Sequence, residues 1–184
     1  MARRQPAPSD SDHTHHPTEV LDFRTDQGII RLHDQRLVLL SAVAMGLLRK
    51  ELIDTLGIVN ARRLFLRFGY ADGYHDAVSL RSRWRWADPL EGLRAGAELQ
   101  RLEGIVRTES TRVKHDAESG RFEQELVWHD SYVAEQHWHH YGRSTVPVCW
   151  SLAGYASGYA SACLRQEIYF RESACLPLAR ASAP

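Results

Sequence analysis

Val148-Cys149-Trp150-Ser151-Leu152-Ala153-Gly154-Tyr155-Ala156-Ser157-Gly158-Tyr159-Ala160-Ser161-Ala162-Cys163-Leu164 is the stretch that decides the fold. It is apolar, rich in small residues, and carries Gly154 and Gly158 four apart. Residues at that spacing share one face of a helix. The pattern predicts a tightly packed helix over 148–164, opened by Pro147. Short strands mixed with helices elsewhere give an α+β class.

Downstream, Ile168-Tyr169-Phe170-Arg171-Glu172 reads as a strand. Glu172 and Cys175 form a Glu-x-x-Cys pair, and Cys149 precedes the helix. Cysteine and glutamate both ligate zinc, and a thiolate suits a borderline metal. Three such residues resemble three ligands of a tetrahedral site. The pair is short enough to arise by chance, and buried cysteines often serve as small hydrophobes. Both readings stand on spacing alone. Leu176 to Pro184 offers no good fourth ligand, so the expectation is a domain cut off inside its own metal knuckle.

Upstream, a turn at Asp116-Ala117-Glu118-Ser119-Gly120 joins strands over 102–114 and 122–127. Gly120 takes the positive-φ position. His129 to His140 is a mixed polar and aromatic stretch open to a helical reading. A strand-like His137-x-His139 would place both rings on one face. No His-Glu-x-x-His pattern accompanies them, and surface or interdomain histidines are the plainer reading.

Further upstream, leucines and valines recur at helical spacing from Arg36 to Leu56, ending at Gly57. A second helix is expected over 59–83 and a third from Pro89 to Leu99. The first two are expected to pack on each other, across a dimer axis. Asp26-Gln27-Gly28 reads as a turn and Ile29–Leu32 as a strand. Residues 1–19 read as a disordered tail in which His13, His15 and His16 are solvated.

Composition narrows the function. Lys plus Arg equals Asp plus Glu at 23 each, so no basic charge draws in nucleic acid. No apolar run approaches the roughly 18 residues of a spanning helix, and no signal peptide is visible. Three cysteines argue against a disulfide framework. The expectation is a reduced, cytoplasmic protein. There is no P-loop, no Gly-x-Ser-x-Gly elbow and no evident helix-turn-helix, and no catalytic acid–base pair is visible. The aromatics Trp128, Tyr132, Trp150, Tyr155, Tyr159, Tyr169 and Phe170 either fill a core or line an apolar pocket.

Several phrases together carry a resemblance. They are Leu93-Arg94-Ala95-Gly96, Leu102-Glu103-Gly104-Ile105-Val106, Trp128-His129-Asp130-Ser131-Tyr132, Glu135-Gln136-His137, and Gly154-Tyr155-Ala156-Ser157-Gly158-Tyr159 with Phe170-Arg171-Glu172. Over residues 20–176 the chain resembles the N-terminal effector-sensing region of XylR/DmpR-type, sigma-54-dependent activators of aromatic catabolism. Residues 20–116 resemble the activator of aromatic catabolism segment, with helices and strands that dimerise. Residues 117–176 resemble a V4R (4-vinyl-reductase-like) ligand-binding domain, incomplete here, and 177–184 form a tail foreign to the family.

The resemblance implies a pocket for a small aromatic effector and a structural zinc held by Cys, Glu, Cys and Cys. Cys149, Glu172 and Cys175 match the first three. The fourth cysteine has no counterpart, and Cys163 matches no ligand. Phenol-responsive members clamp the hydroxyl with a His and a Trp. Trp128 matches the Trp, and Gln100 stands where the His is expected. Glutamine is neutral and differently shaped, which weighs against phenol and leaves room for toluene-like or larger, biphenyl-like effectors. Tyr155, Tyr159 and Phe170 are the further expected walls.

In complete activators the sensor restrains an ATPase until effector binds. This chain encodes neither ATPase nor DNA-binding module. The resemblance therefore implies a homodimeric sensor without enzymatic activity, nucleic-acid contact or membrane attachment. A remnant of such a regulator, or a small V4R-type enzyme or accessory protein, are the alternatives.

Overall fold

The computed structural model describes residues 21–32, 35–144 and 146–175. The tail histidines and the segment after Cys175 lie outside them. A three-stranded antiparallel sheet comes first: β1 (Leu21–Arg24), β2 (Ile29–Leu32) and β3 (Gln35–Leu37). Helices α1 (Ala42–Leu56), α2 (Ile58–Arg83) and α3 (Pro89–Leu102) follow. A hairpin of β4 (Arg107–Asp116) and β5 (Arg121–His129) leads into α4 (Tyr132–Tyr141) and α5 (Trp150–Leu164).

The long helix expected from Arg36 starts later, at Ala42. Arg36 and Leu37 are taken by β3, where they pair with Arg31 and Ile30 of β2. Ser41 then caps α1, its hydroxyl accepting from the Ala44 N–H at 3.1 Å. Asp88 caps α3 in the same way, at 2.9 Å from the Leu90 N–H, with Pro89 in the first turn. Gly57 ends α1 and Gly120 turns the hairpin at positive φ, as expected, and Gly57 is at positive φ too.

The centre of the fold is α5 laid along α2. Added Cβ atoms at Gly154 and Gly158 would overlap the carbonyl oxygens of Leu66 and Tyr70. Those at Gly69 and Gly73 would overlap the carbonyls of Ser151 and Tyr155. Glycine on both helices thus lets the backbones touch. The partner of α5 is α2, whereas the sequence pattern pairs α2 with α1. The missed signal was the second Gly-x-x-x-Gly, Gly69 and Gly73.

Around this pair Leu80, Leu99, Ala77, Trp84, Tyr155 and Tyr159 form the main core. A second core of Val106, Val133, Val148 and Leu152 lies at the N-terminal end of α5.

The expected strand over 168–172 is extended but joins no ladder. Hydroxyls of α5 replace the strand partner: Ser161 Oγ accepts from the Ile168 N–H at 2.9 Å, and Ser157 Oγ from the Phe170 N–H at 2.8 Å. The histidine stretch takes its helical reading, as α4. In α4 the two rings part, His137 buried and His139 exposed.

An apolar face is left open. Val38, Leu39 and Leu40 are 63–80% exposed, and Val43, Leu47, Ile58, Val59 and Phe68 on α1 and α2 are about half exposed or more. Among the described residues, no helix is long and apolar enough to cross a membrane.

Candidate functional site

One face of the β4–β5 hairpin, one face of α3 and the middle of α5 enclose a cavity of about 300 Å³. Period two along β5 puts Gln124, Leu126 and Trp128 on its inner face. Helical spacing along α3 contributes Leu93, Gly96, Ala97 and Gln100. The α5 face gives Tyr155, Ala156, Tyr159 and Ala160, and Phe170 closes one side. All five aromatic-site residues expected from sequence, Gln100, Trp128, Tyr155, Tyr159 and Phe170, therefore line a single cavity. Thr108, Leu126 and Leu93 were missed, though the same periodicities could have found Leu93 and Leu126.

The walls are mostly apolar, with a few placed polar groups. Gln100 is buried, and its Oε1 accepts from Thr108 Oγ1 at 3.2 Å. The Trp128 indole N–H makes no hydrogen bond to another described residue. Tyr155 and Tyr159 stack with ring centroids 5.7 Å apart. The Tyr155 hydroxyl is committed elsewhere, donating to Asp76 Oδ2 on α2 at 2.9 Å. Tyr155 thus offers the cavity its ring.

Asp76 is a buried carboxyl, with Asp72 and Glu103 near enough to act on it, that sequence reasoning missed. Burial, then the charge of Asp72, pushes the Asp76 carboxyl up to about 7. Burial, then Asp76 and Asp72, pushes Glu103 up to about 8.

The metal candidates also converge. Sulfur atoms of Cys149 and Cys175 and a carboxylate oxygen of Glu172 lie within 4.8 Å of one another. The Cys149 N–H donates to Glu172 Oε2 at 2.8 Å, and Ser131 Oγ, the α4 cap, sits 3.5 Å from Cys149 Sγ. Burial, then the Glu172 carboxylate, pushes the Cys149 thiol up to about 12 and raises Cys175. A divalent cation among the three would favour the thiolates instead. Two sulfurs and a carboxylate are a donor set that zinc accepts. Cys163 is fourteen residues on along the same helix, about 21 Å away at 1.5 Å per residue, in the other core cluster. It cannot complete this cluster within one chain.

Arg49 of α1 reaches the same corner. It is buried, its Nη2 donates to the Val148 carbonyl at 2.8 Å, and its guanidinium lies 4.2 Å from the Trp150 ring centroid. One side chain thereby ties the open face of α1 to the residues flanking Cys149.

The family model described as activator of aromatic catabolism matches residues 18–116. The chain is 31% identical over 154 residues to the phenol regulator MopR of Acinetobacter guillouiae, covering 84% of this chain and 28% of that protein. It is 33% identical over 153 residues to the transcriptional regulatory protein XylR of Pseudomonas putida, covering 83% and 27%. It spans little more than a quarter of these curated relatives. The fold matches the crystal structure of the phenol-responsive sensory domain of the transcription activator PoxR with phenol. That match has a TM-score of 0.79 and 38% identity, and covers 86% of this chain and 79% of the other.

Proposed function

Because the chain belongs to the family of activators of aromatic catabolism, we propose that it is an aromatic-effector sensor: a binding module of a transcription regulator, not an enzyme. The observation that carries this reading is the cavity. Gln100, Trp128, Tyr155, Tyr159 and Phe170 arrive from separate elements and meet around one mostly apolar space of about 300 Å³. An apolar protein cavity of about 150 Å³ is enough to hold benzene. The relatives named for phenol, MopR and PoxR, support an effector of that chemical class.

Gln100 sets the preference within the class. Tied to Thr108, it presents a neutral amide where phenol-responsive members carry histidine. The proposed effector is toluene-like or larger, with phenol the weaker ligand. Segments 20–116 and 117–176, the activator segment and the V4R-like domain, each supply part of the wall.

Cys149, Glu172 and Cys175 would hold a structural zinc, which fixes the start of α5 and with it the cavity. The fourth position would go to water or to a ligand outside the described residues. The open apolar face of α1, α2 and residues 38–40 supports a homodimer, since patches of that size mark interaction sites. With free cysteines, the setting is a reducing, cytoplasmic one. Effector binding would shift a two-state equilibrium of the dimer, read by other parts of a regulator, without direct contact of this segment to nucleic acid or membrane.

The test is a titration with toluene, phenol and 4-hydroxybiphenyl, followed by tryptophan fluorescence and calorimetry. Saturable binding of at least one ligand, lost in Trp128→Ala, is the expected result. No saturable binding of any of them would sink the reading.

A further inference from the structure

A second cavity, of about 330 Å³, lies behind the first. Its walls are the sheet, residues 38–40 and the facing sides of α1, α2 and α5, with Met45, Leu102, Ile105 and Leu152 among them. Two residues line both cavities, Gln100 and Tyr155. Both stand at the boundary between the two.

The two boundary residues are held very differently. Tyr155 is fixed: its hydroxyl donates to buried Asp76, its ring stacks on Tyr159, and its backbone lies against Gly73. Gln100 has one side-chain tether, the 3.2 Å bond from Thr108 at the long end of the hydrogen-bond range. Its three side-chain torsions can swing the amide aside at the cost of that one neutral bond. Burying a second ring against apolar walls returns more than such a bond.

We infer that Gln100 is a gate between two apolar compartments, and that the effector is an elongated two-ring aromatic. One ring lies between Trp128, Tyr159 and Phe170. The other passes beside the fixed Tyr155 into the second compartment, against Leu102, Ile105 and Leu152. This rests on the aromatic-sensor reading and adds to it a second subsite and the shape of the ligand. Glu103 also lines the second compartment. A hydroxyl or amino group at the far end of the second ring could hydrogen-bond to its carboxyl.

The experiment compares toluene with 4-hydroxybiphenyl by calorimetry on the purified full chain. It uses the unaltered chain, Ile105→Trp and Met45→Trp. Both substitutions fill the second compartment and leave the first untouched, and two positions guard against one variant failing to fold. Cooperative melting certifies each.

The expected result is 4-hydroxybiphenyl binding at least tenfold tighter than toluene, with that advantage abolished by either tryptophan and toluene affinity unchanged. Toluene binding with no biphenyl advantage, or an advantage that survives both substitutions, would overturn the gate and leave the sensor reading standing. Binding of neither probe would overturn both.

Discussion

The Tyr155 hydroxyl donates to Asp76 Oδ2 at 2.9 Å, which joins a wall of the candidate cavity to a buried carboxyl. Burial holds that carboxyl near 7, well above its ordinary value near 4. Between those two pH values the folded chain keeps a proton that the unfolded chain has released. Stability is therefore highest on the acid side of the window and falls as pH rises through it, by at most about 4 kcal/mol for this group. Glu103, raised to about 8, adds to the same slope. Asp76→Asn is expected to flatten the fall in melting temperature between pH 5 and 8. An unchanged slope would remove Asp76 as its source.

Gln100 and Trp128 predict opposite outcomes for one ligand. Trp128→Ala removes a large wall whose N–H makes no bond to another described residue, so aromatic affinity should drop at least tenfold while cooperative unfolding persists. Gln100→His would place at this position the histidine that the proposed reading assigns to phenol-responsive members. One added hydrogen bond in a buried site is worth about 1–3 kcal/mol, so phenol affinity should rise about tenfold or more. Calorimetry with phenol on both variants checks this. No gain in Gln100→His would mean that Thr108, rather than the bound ligand, claims the side chain at 100.

What the sequence revealed depended on the range of the signal. Gly154 and Gly158 announced a close-packed helix because the motif is local. Its partner was hidden, since Gly69 and Gly73 mean something only once α2 lies against α5. The cavity walls were legible because family phrases fixed Gln100, Trp128, Tyr155, Tyr159 and Phe170. The roles of Thr108 and Asp76 were not, because each depends on a contact made across the fold. The strand expected over 168–172 failed for a related reason. Alternating apolar residues predict extended backbone, but not whether a strand or the hydroxyls of Ser157 and Ser161 will satisfy it.

The cluster of Cys149, Glu172 and Cys175 predicts metal dependence. Protein purified without chelator should contain about one zinc per chain by elemental mass spectrometry. Chelation should lower the melting temperature, and Cys149→Ser should do the same without chelator. Cys149 lies one residue before α5, so effector affinity should fall with the metal. Full stability after chelation, or no zinc in a cooperatively folding protein, would make the cluster a set of packed thiols.

Two glycine substitutions separate hard from soft contacts. At Gly158 an added Cβ would overlap the Tyr70 carbonyl, a backbone atom of α2 that cannot step aside without moving the helix. At Gly46 it would overlap only the amide end of Gln136, a side chain with other rotamers. Alanine gains about 1 kcal/mol over glycine in a helix at either position. Gly158→Ala should still destabilise by about 3 kcal/mol or more, because α5 must lift from α2. Gly46→Ala should stay within about 1 kcal/mol of the unaltered chain, once Gln136 turns away. The lifted helix carries Tyr155 and Tyr159, so Gly158→Ala should also weaken aromatic binding, and Gly46→Ala should not. Urea unfolding with a parallel effector titration measures both. Equal losses at the two positions would mean that α2 and α5 are not held at backbone contact, and that the cavity does not depend on their spacing.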